Sequence, residues 1–265
     1  MAMNSSALKI YLDRKVDEFN RPAFIVNDPI SIPHLFTKKQ DIEIAGFLTA
    51  ILAWGNRTSI IRKSKDILRR MDFAPYEFVR NAGEKDLMNL QDFKHRTFNA
   101  TDLLYFVGFL QFHYKDQPDS TAEPSLETAF TRFMQPGDRS VEQALNGFYQ
   151  YFFSLEQVPD RTKKHIATPE KKSTCKRLNM YLRWMVRKDD RKVDFGIWRQ
   201  ISSAQLVCPV DLHVARVARG FGIISRKQTD WKAALELTDN LKNFDAEDPV
   251  KYDFALFGLG AMEKF

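Results

Sequence analysis

The sequence has little cysteine and no long apolar run, and each shortage excludes a class of protein. Cys175 and Cys208 are the only cysteines among its 265 residues, too few for a disulfide framework or a four-cysteine metal site. The longest apolar stretches, such as residues 103–110, fall far short of the ~18 apolar residues that a membrane span needs. The first residues carry charges where a signal peptide would be apolar. We therefore expect a cytoplasmic protein with no membrane span, no metal and no cofactor.

Strand signals are scarce as well, because no run of alternating β-branched residues is bounded by hairpin turns. Helix signals are frequent. Thr37 and Gln40 have the spacing of a capping box ahead of an apolar stripe, and Thr229 or Asp230 precedes another helical stretch. We predict an all-α protein with a short loop at residues 116–124 and a core rich in its 22 phenylalanines.

The charge is unevenly distributed. There are 40 Lys and Arg residues against 34 Asp and Glu, a net charge of +6, which alone suits any soluble protein. Residues 160–192 hold twelve basic against four acidic residues, and residues 57–70 hold six against one, so the remainder is acidic. Two basic segments on an acidic remainder are typical of a surface that binds a phosphate backbone, although solvated faces also produce such runs.

The stronger basic segment contains a predicted amphipathic helix at residues 173–188. On a helical wheel its apolar side chains separate from a face with Lys176, Met180, Arg183 and Arg187. Ser173 or Thr174 is a suitable N-cap, which places Lys176 in the first turn. The positive end of the helix dipole disfavours an ammonium group there, so Lys176 is a candidate amine nucleophile. Neighbouring Lys171 and Lys172 are alternatives, and an ordinary surface helix would show the same pattern.

A second segment, CPVDLHVARVARGFGII at residues 208–224, places Asp211 before a short helix. An N-cap role is by itself a sufficient reason for an aspartate here. The segment also resembles the signature of the helix-hairpin-helix base-excision DNA glycosylases, which reads V-D-x-H-V-x-R-V-x-R followed by a glycine. The residues that carry the pattern are Pro209, Val210, Asp211, His213, Val214, Arg216, Val217, Arg219 and Gly222.

This resemblance implies a catalytic aspartate at Asp211 and a catalytic lysine at Lys176, at the start of a helix upstream. Lys176 precedes Asp211 by 35 positions, a long gap that is similar to the archaeal 8-oxoguanine glycosylase branch. The fold implied is two-lobed and helical with a cleft between the lobes. One compound unit, 1–265, would then comprise a lobe at about 35–185 ending in the lysine helix. The second lobe would comprise about 1–34 and 190–265 and carry the aspartate.

The implied partner is duplex DNA with a damaged or abasic nucleotide. The stretch at residues 48–61 resembles the early helix and loop of the family, where a polar residue at the position of Asn56 faces the opened duplex. His213 is more plausible as a structural residue than as an acid–base catalyst. Candidate DNA-binding residues are Asn56, Arg57, Arg62, Lys63, Lys171, Lys172, Arg183 and Arg187.

Two features depart from the family pattern. The glycine-rich hairpin that grips phosphate through backbone amides is replaced by HIATPEKKSTCKR at residues 165–177, which contains no glycine. The four-cysteine loop of an iron–sulfur cluster is missing as well, because no cysteine follows Cys208. We therefore expect no iron–sulfur cluster.

Three alternatives remain at the level of sequence. The chain as a whole also resembles a family of conserved bacterial proteins without an assigned function. A glycosylase scaffold without catalysis would bind duplex DNA and form no covalent adduct. An all-α interaction protein would use both basic segments to bind an acidic partner. The sequence contains no phosphate-binding loop, nucleophile elbow or zinc spacing, which disfavours a hydrolase or nucleotide-binding enzyme.

Overall fold

The fold was analysed in a computed structural model that describes residues 4–115 and 123–263. The predicted loop at residues 116–124 lies mostly outside the described residues. The α-helices are, in chain order, α1 Ser5–Phe19, α2 Pro22–Ile25, α3 Lys39–Leu52, α4 Arg57–Arg70, α5 Pro75–Asn81, α6 Glu84–Met88, α7 Ala100–Lys115, α8 Glu127–Thr131, α9 Glu142–Phe152, α10 Lys176–Val186, α11 Leu212–Gly220, α12 Trp231–Lys242 and α13 Tyr252–Phe257. Short 3₁₀ turns connect several of them, and a π-helical turn, Gly258–Met262, follows α13.

The predicted all-α class is confirmed. Of the described chain, only the two-residue strands β1 Lys94–His95 and β2 Phe98–Asn99 are extended, and they pair antiparallel with His95 opposite Phe98. None of the described helices is both long and apolar enough to cross a membrane.

The helix starts were predicted with mixed success. Asp230 caps α12 as predicted, with its side chain accepting a hydrogen bond from the amide of Ala233 at 3.1 Å. The capping box at Thr37 and Gln40 is wrong, because α3 follows Lys38 and no side chain caps it. Gln40 instead uses its amide for a hydrogen bond to the carbonyl of Pro124 at 3.1 Å, so its side chain is committed to packing.

The chain divides into two compact units. Unit 1 comprises Met1–Val26, Met134–Asn146 and Ala167–Phe265, and unit 2 comprises Asn27–Phe133 and Gly147–Ile166. This division differs from the predicted lobes, which separated the lysine helix from the aspartate segment. In the structure α10 and Asp211 belong to the same unit.

The core of unit 2 is aromatic, as the phenylalanine content predicts. Phe47 on α3 packs against Phe106 on α7 and against Phe148 and Phe152, with ring centroids 5.6 to 6.1 Å apart. Phe130 stacks on Phe148 at 4.0 Å. Rings in such offset and edge-on pairs fill a core densely and contribute beyond the apolar area that they bury. The same core holds α4, which carries one of the two basic segments.

The core of unit 1 forms around α13. This helix packs against α1 and α11, and its residues Tyr252 and Phe254 are fully buried. The hydroxyl of Tyr252 donates a hydrogen bond to Asp13 on α1 at 2.8 Å. Together these contacts fix α13, and with it the carboxyl group of Asp253, in the interior of unit 1.

Candidate active site

Lys176 is the first residue of α10, as predicted. The cap differs from the prediction, because Cys175 occupies the N-cap position with a left-handed φ of 51° and no side chain caps the helix. Ser173, two positions before the N-cap, accepts a hydrogen bond from the Cys175 amide at 3.1 Å. The Lys176 side chain keeps 25% of its surface exposed, so Nζ is accessible to solvent at the positive end of the helix.

Asp211 is the N-cap of α11, and its two carboxylate oxygens have different partners. Oδ1 accepts hydrogen bonds from the amides of His213 at 2.9 Å and Val214 at 3.0 Å. These bonds satisfy two donors that the helix geometry leaves unpaired. The predicted capping role is therefore confirmed, and it occupies only Oδ1.

The structure brings Lys176 and Asp211 together although 35 positions separate them in the sequence. Asp211 Oδ2 lies 3.9 Å from Lys176 Nζ, and about a quarter of each side chain is exposed. At that distance the pair is an ion pair without a hydrogen bond, and an exposed pair of this kind contributes little to stability. An amine and a carboxylate that converge in this way can share a proton and act on one bound atom.

A buried carboxylate, Asp253, lies behind this pair. Its side chain is buried on α13 and accepts a hydrogen bond from Arg183 of α10. Burial raises the pKa of Asp253 to about 6; the charges of Arg183 and Lys176 act against the rise, whereas those of Asp211 and Asp194 add to it. The surface pair therefore has a third titratable group close enough to interact with it.

Arg183 and Arg187 were predicted to contact DNA phosphate, and for both residues that prediction is wrong. Their side chains are buried, and Arg183 binds Asp194 at 3.2 Å as well as Asp253. Arg187 binds Asp194 at 3.2 Å and Asp248 at 2.9 Å. The guanidinium of Arg183 also lies over the ring of Phe254, 4.3 Å from its centroid. The helical wheel predicted a solvent-exposed face here, but this polar face of α10 packs against carboxylates inside unit 1.

The segment before Lys176 forms a tight connection without glycine. A 3₁₀ turn, Pro169–Lys171, is followed by Lys172 in the left-handed region at φ 59°, and Cys175 is left-handed as well. Side chains support this backbone: Asn146 Oδ1 accepts from the Glu170 amide at 3.2 Å, and Asn179 donates to the Thr174 carbonyl at 3.0 Å. A left-handed conformation costs a non-glycine residue roughly 1–2 kcal/mol, so these bonds compensate for the missing glycines.

The other predicted DNA-binding residues fall into both units. Lys171 and Lys172 are exposed in unit 1, whereas Asn56, Arg57, Arg62 and Lys63 lie in unit 2. Asn56 is the N-cap of α4, and its side chain accepts from the Ser59 amide at 3.1 Å. Arg57 and Lys63 are half-buried, and Arg62 is exposed.

Sequence reasoning missed Asp253 as a member of the site. A usable signal was present, because Asp253 stands between Tyr252 and Phe254 in an otherwise apolar helix, where a carboxylate needs a buried cationic partner. The partner was obscured by the assignment of Arg183 to the surface.

Both cysteines are free and buried, and burial raises the pKa of the Cys175 thiol to about 12, so neither is suited to nucleophilic chemistry.

A metal centre is not indicated by the described residues, since they contain no group of three or more His, Cys, Asp or Glu side chains that could hold an ion.

Residues 28–262 match the model of one protein family, described as "Protein of unknown function (DUF2400)". Neither the curated proteins nor the solved structures contain a match.

Proposed function

We propose that this chain, which belongs to the DUF2400 family over most of its length, is a DNA repair glycosylase with abasic-site lyase activity. The observation that carries the proposal is the approach of Lys176 Nζ to within 3.9 Å of Asp211 Oδ2. Both residues stand at helix N-termini; Asp211 belongs to the glycosylase signature, and Lys176 takes the place of the upstream lysine that the resemblance implies. The substrate is duplex DNA carrying a damaged base, with 8-oxoguanine as the first lesion to test.

In the proposed reaction the target nucleotide leaves the base stack so that its sugar reaches the pair. The neutral amine of Lys176 forms a bond to C1′ while the glycosidic bond breaks, and the base departs with the bonding electron pair. The carboxylate of Asp211 stabilises the positive charge that develops on the sugar as this bond breaks; Oδ2 then accepts the proton that the amine loses and passes it to the departing base. Opening of the sugar ring then yields a Schiff base, from which β-elimination releases the 3′ phosphate.

The phosphate contacts in this proposal come from side chains and from the N-terminus of α10, because the glycine-rich hairpin is absent. Lys171 and Lys172 lie five and four positions before the reactive lysine and are exposed. Asn56, Arg57, Arg62 and Lys63 remain candidates for contact elsewhere on the duplex. Arg183 and Arg187 make no phosphate contact in this proposal, because both side chains are buried.

Borohydride trapping tests the covalent step, because borohydride reduces a Schiff base to a stable amine. The substrates are matched duplexes with 8-oxoguanine, an abasic site or no lesion. We expect an adduct with the lesion-bearing duplexes that is lost in Lys176→Ala and retained in Lys85→Ala. The second variant is a matched control, because Lys85 is an exposed lysine of α6 outside both basic segments.

Each other outcome contradicts a part of the proposal. An adduct that survives Lys176→Ala moves the nucleophile to another lysine. Salt-sensitive duplex binding without an adduct on any lesion favours the scaffold that binds DNA without catalysis. Weak binding that does not distinguish lesions favours the interaction protein with an acidic partner.

A further inference from the structure

Unit 2 contains a basic groove that takes no part in the proposed covalent step, although two of its residues, Arg62 and Lys63, are also candidates for contact with the duplex. It lies along the second half of α4 and has a volume of about 400 Å³, which is within the range of small-ligand sites. Its lining residues are Arg62, Lys63, Lys65, Asp66, Arg69 and Phe73. We refer to these six residues as the α4 groove.

The charge of the α4 groove is strongly positive. The lining has four basic side chains and one carboxylate, Asp66, which binds Arg69 at 2.8 Å and Lys63 at 3.4 Å. Partial burial acts to raise the pKa of Asp66, but the hydrogen bond from Arg69 and the charges of Arg70 and Lys63 hold it below its usual range. Arg62 and Lys65 are exposed, and within the described ranges no ion pair is recorded for either. The groove therefore has cationic groups that can still bind an anion.

Phe73 at the end of the groove is held in a costly conformation. Asp72 and Phe73 are consecutive non-glycine residues in the left-handed region, at φ 51° and 52°. The Phe73 amide donates to the carbonyl of Leu68 at 2.8 Å, so the chain turns sharply as α4 ends. Phe73 nevertheless remains 48% exposed. Residues held in strained backbone conformations cluster at functional sites, and this one carries an aromatic ring beside a basic groove.

We propose that the α4 groove binds unpaired nucleic acid, with one base stacked on Phe73 and the backbone phosphates held by Arg62, Lys65 and Arg69. A cationic groove with an exposed ring is the combination that single-strand binding sites use, since every base has a face that stacks and every linkage carries a charge. A membrane surface fits less well, because Phe73 is the single apolar residue of the lining and membrane anchoring requires a broader apolar face. The site belongs to unit 2, and it stands whether or not Lys176 is catalytic.

The test measures the affinity of the full chain for a labelled single strand of about 12 nucleotides, within the range that small single-strand sites cover. Phe73→Gly removes the ring and relaxes the left-handed position. We expect this variant to bind roughly 5- to 100-fold more weakly, the range that base stacking on an aromatic ring gives, while its unfolding midpoint stays the same or rises. Lys65→Gln and Arg69→Gln should each weaken binding and reduce its salt dependence.

Matched controls use exposed residues of the same unit outside the groove. Met88→Ala and Lys85→Gln remove an exposed apolar side chain and an exposed cation of α6, and neither should change the affinity.

Three results would overturn the inference. The first is unchanged affinity in Phe73→Gly. The second is competition by inorganic polyphosphate as effective as competition by an unlabelled single strand. This result would show that the groove binds anions and does not recognise bases. The third is stronger, Phe73-dependent binding to vesicles of mixed phosphatidylserine and phosphatidylcholine, which would assign the groove to a membrane surface.

Discussion

Asp211 performs two tasks with two oxygen atoms. Oδ1 caps α11 through the amides of His213 and Val214, and Oδ2 lies 3.9 Å from Lys176 Nζ. The capping role alone could account for an aspartate at this position. The capping and the catalytic interpretations are therefore compatible, and a substitution that preserves one oxygen acceptor can separate them.

We predict that Asp211→Asn and Asp211→Ala differ in stability but not in trapping. Asparagine caps a helix nearly as well as aspartate, whereas alanine at an N-cap costs about 1 kcal/mol. Asp211→Asn should therefore unfold at nearly the wild-type midpoint, and Asp211→Ala should unfold earlier in denaturant titrations. Both should lose the borohydride adduct, because neither can accept the proton from Lys176. Full trapping by a stable Asp211→Asn variant would restrict Asp211 to its capping role.

Single residues also show how far the sequence could predict the site. Lys176 and Asp211 were identified because helix-capping positions and a dense motif are local features of the sequence. Arg183 and Arg187 were misplaced because a helical wheel separates polar from apolar residues but does not report what faces the polar side. Here the buried carboxylates are Asp194, which follows α10 in the chain, and Asp253, 70 positions from Arg183.

At the scale of elements, α10 and α13 are joined by a buried ionic contact rather than by apolar packing alone. Arg183 of α10 binds Asp253 of α13, and its guanidinium lies over Phe254 of the same helix. Removing one partner from such a contact leaves a buried charge unpaired, which typically costs 3–5 kcal/mol. This contact holds α10 in place at Arg183, two helical turns after Lys176. It therefore also positions the amine of Lys176.

We predict that Asp253 gives the stability of unit 1 a characteristic pH dependence. The pKa of Asp253 is about 6 in the folded protein and close to its ordinary value of about 3.9 in an unfolded chain. Between these pH values the folded state holds the extra proton, so the contribution of Asp253 to stability falls as pH rises through this window. The fall is at most about 3 kcal/mol, at 1.36 kcal/mol per pKa unit.

Asp253→Asn isolates this contribution, because an amide cannot titrate. The free energy of unfolding should be measured by denaturant titration at several pH values for wild type and variant. We expect the wild-type value to decline relative to that of the variant between about pH 4 and pH 6. The groups that face the carboxyl, Arg183, Asp194, Lys176 and Asp211, are identical in both proteins. Parallel curves would show that Asp253 does not titrate in this range.

Elements were predicted better than their boundaries and their grouping. The amphipathic stripes of α10 and α12 were visible because a helix repeats its apolar positions within a few residues. The capping box at Thr37 was wrong because Gln40 packs against a distant segment, which local spacing cannot reveal. The grouping of α10 with Asp211 depends on contacts across 35 positions and has no local signature.

At the scale of the whole molecule, the structure changes the meaning of the basic segments. Residues 160–192 carry twelve basic side chains, but Arg183 and Arg187 are neutralised by internal carboxylates. The accessible positive charge of this segment lies at its exposed cations, which include Lys163, Lys164, Lys171, Lys172, Lys188 and Lys192. The segment at residues 57–70 keeps its exposed cations at Arg62, Lys65 and Arg69.

This redistribution predicts which substitutions change the salt dependence of duplex binding. Each phosphate contact contributes about 0.9 to the slope of log affinity against log salt concentration. Lys171→Gln and Lys172→Gln should each reduce that slope by about this amount, and the double variant by about twice as much. Lys85→Gln, outside both basic segments, should leave it unchanged. Because only accessible cations can contact the DNA backbone, an unchanged slope in the Lys171 and Lys172 double variant would remove these two lysines from the duplex interface.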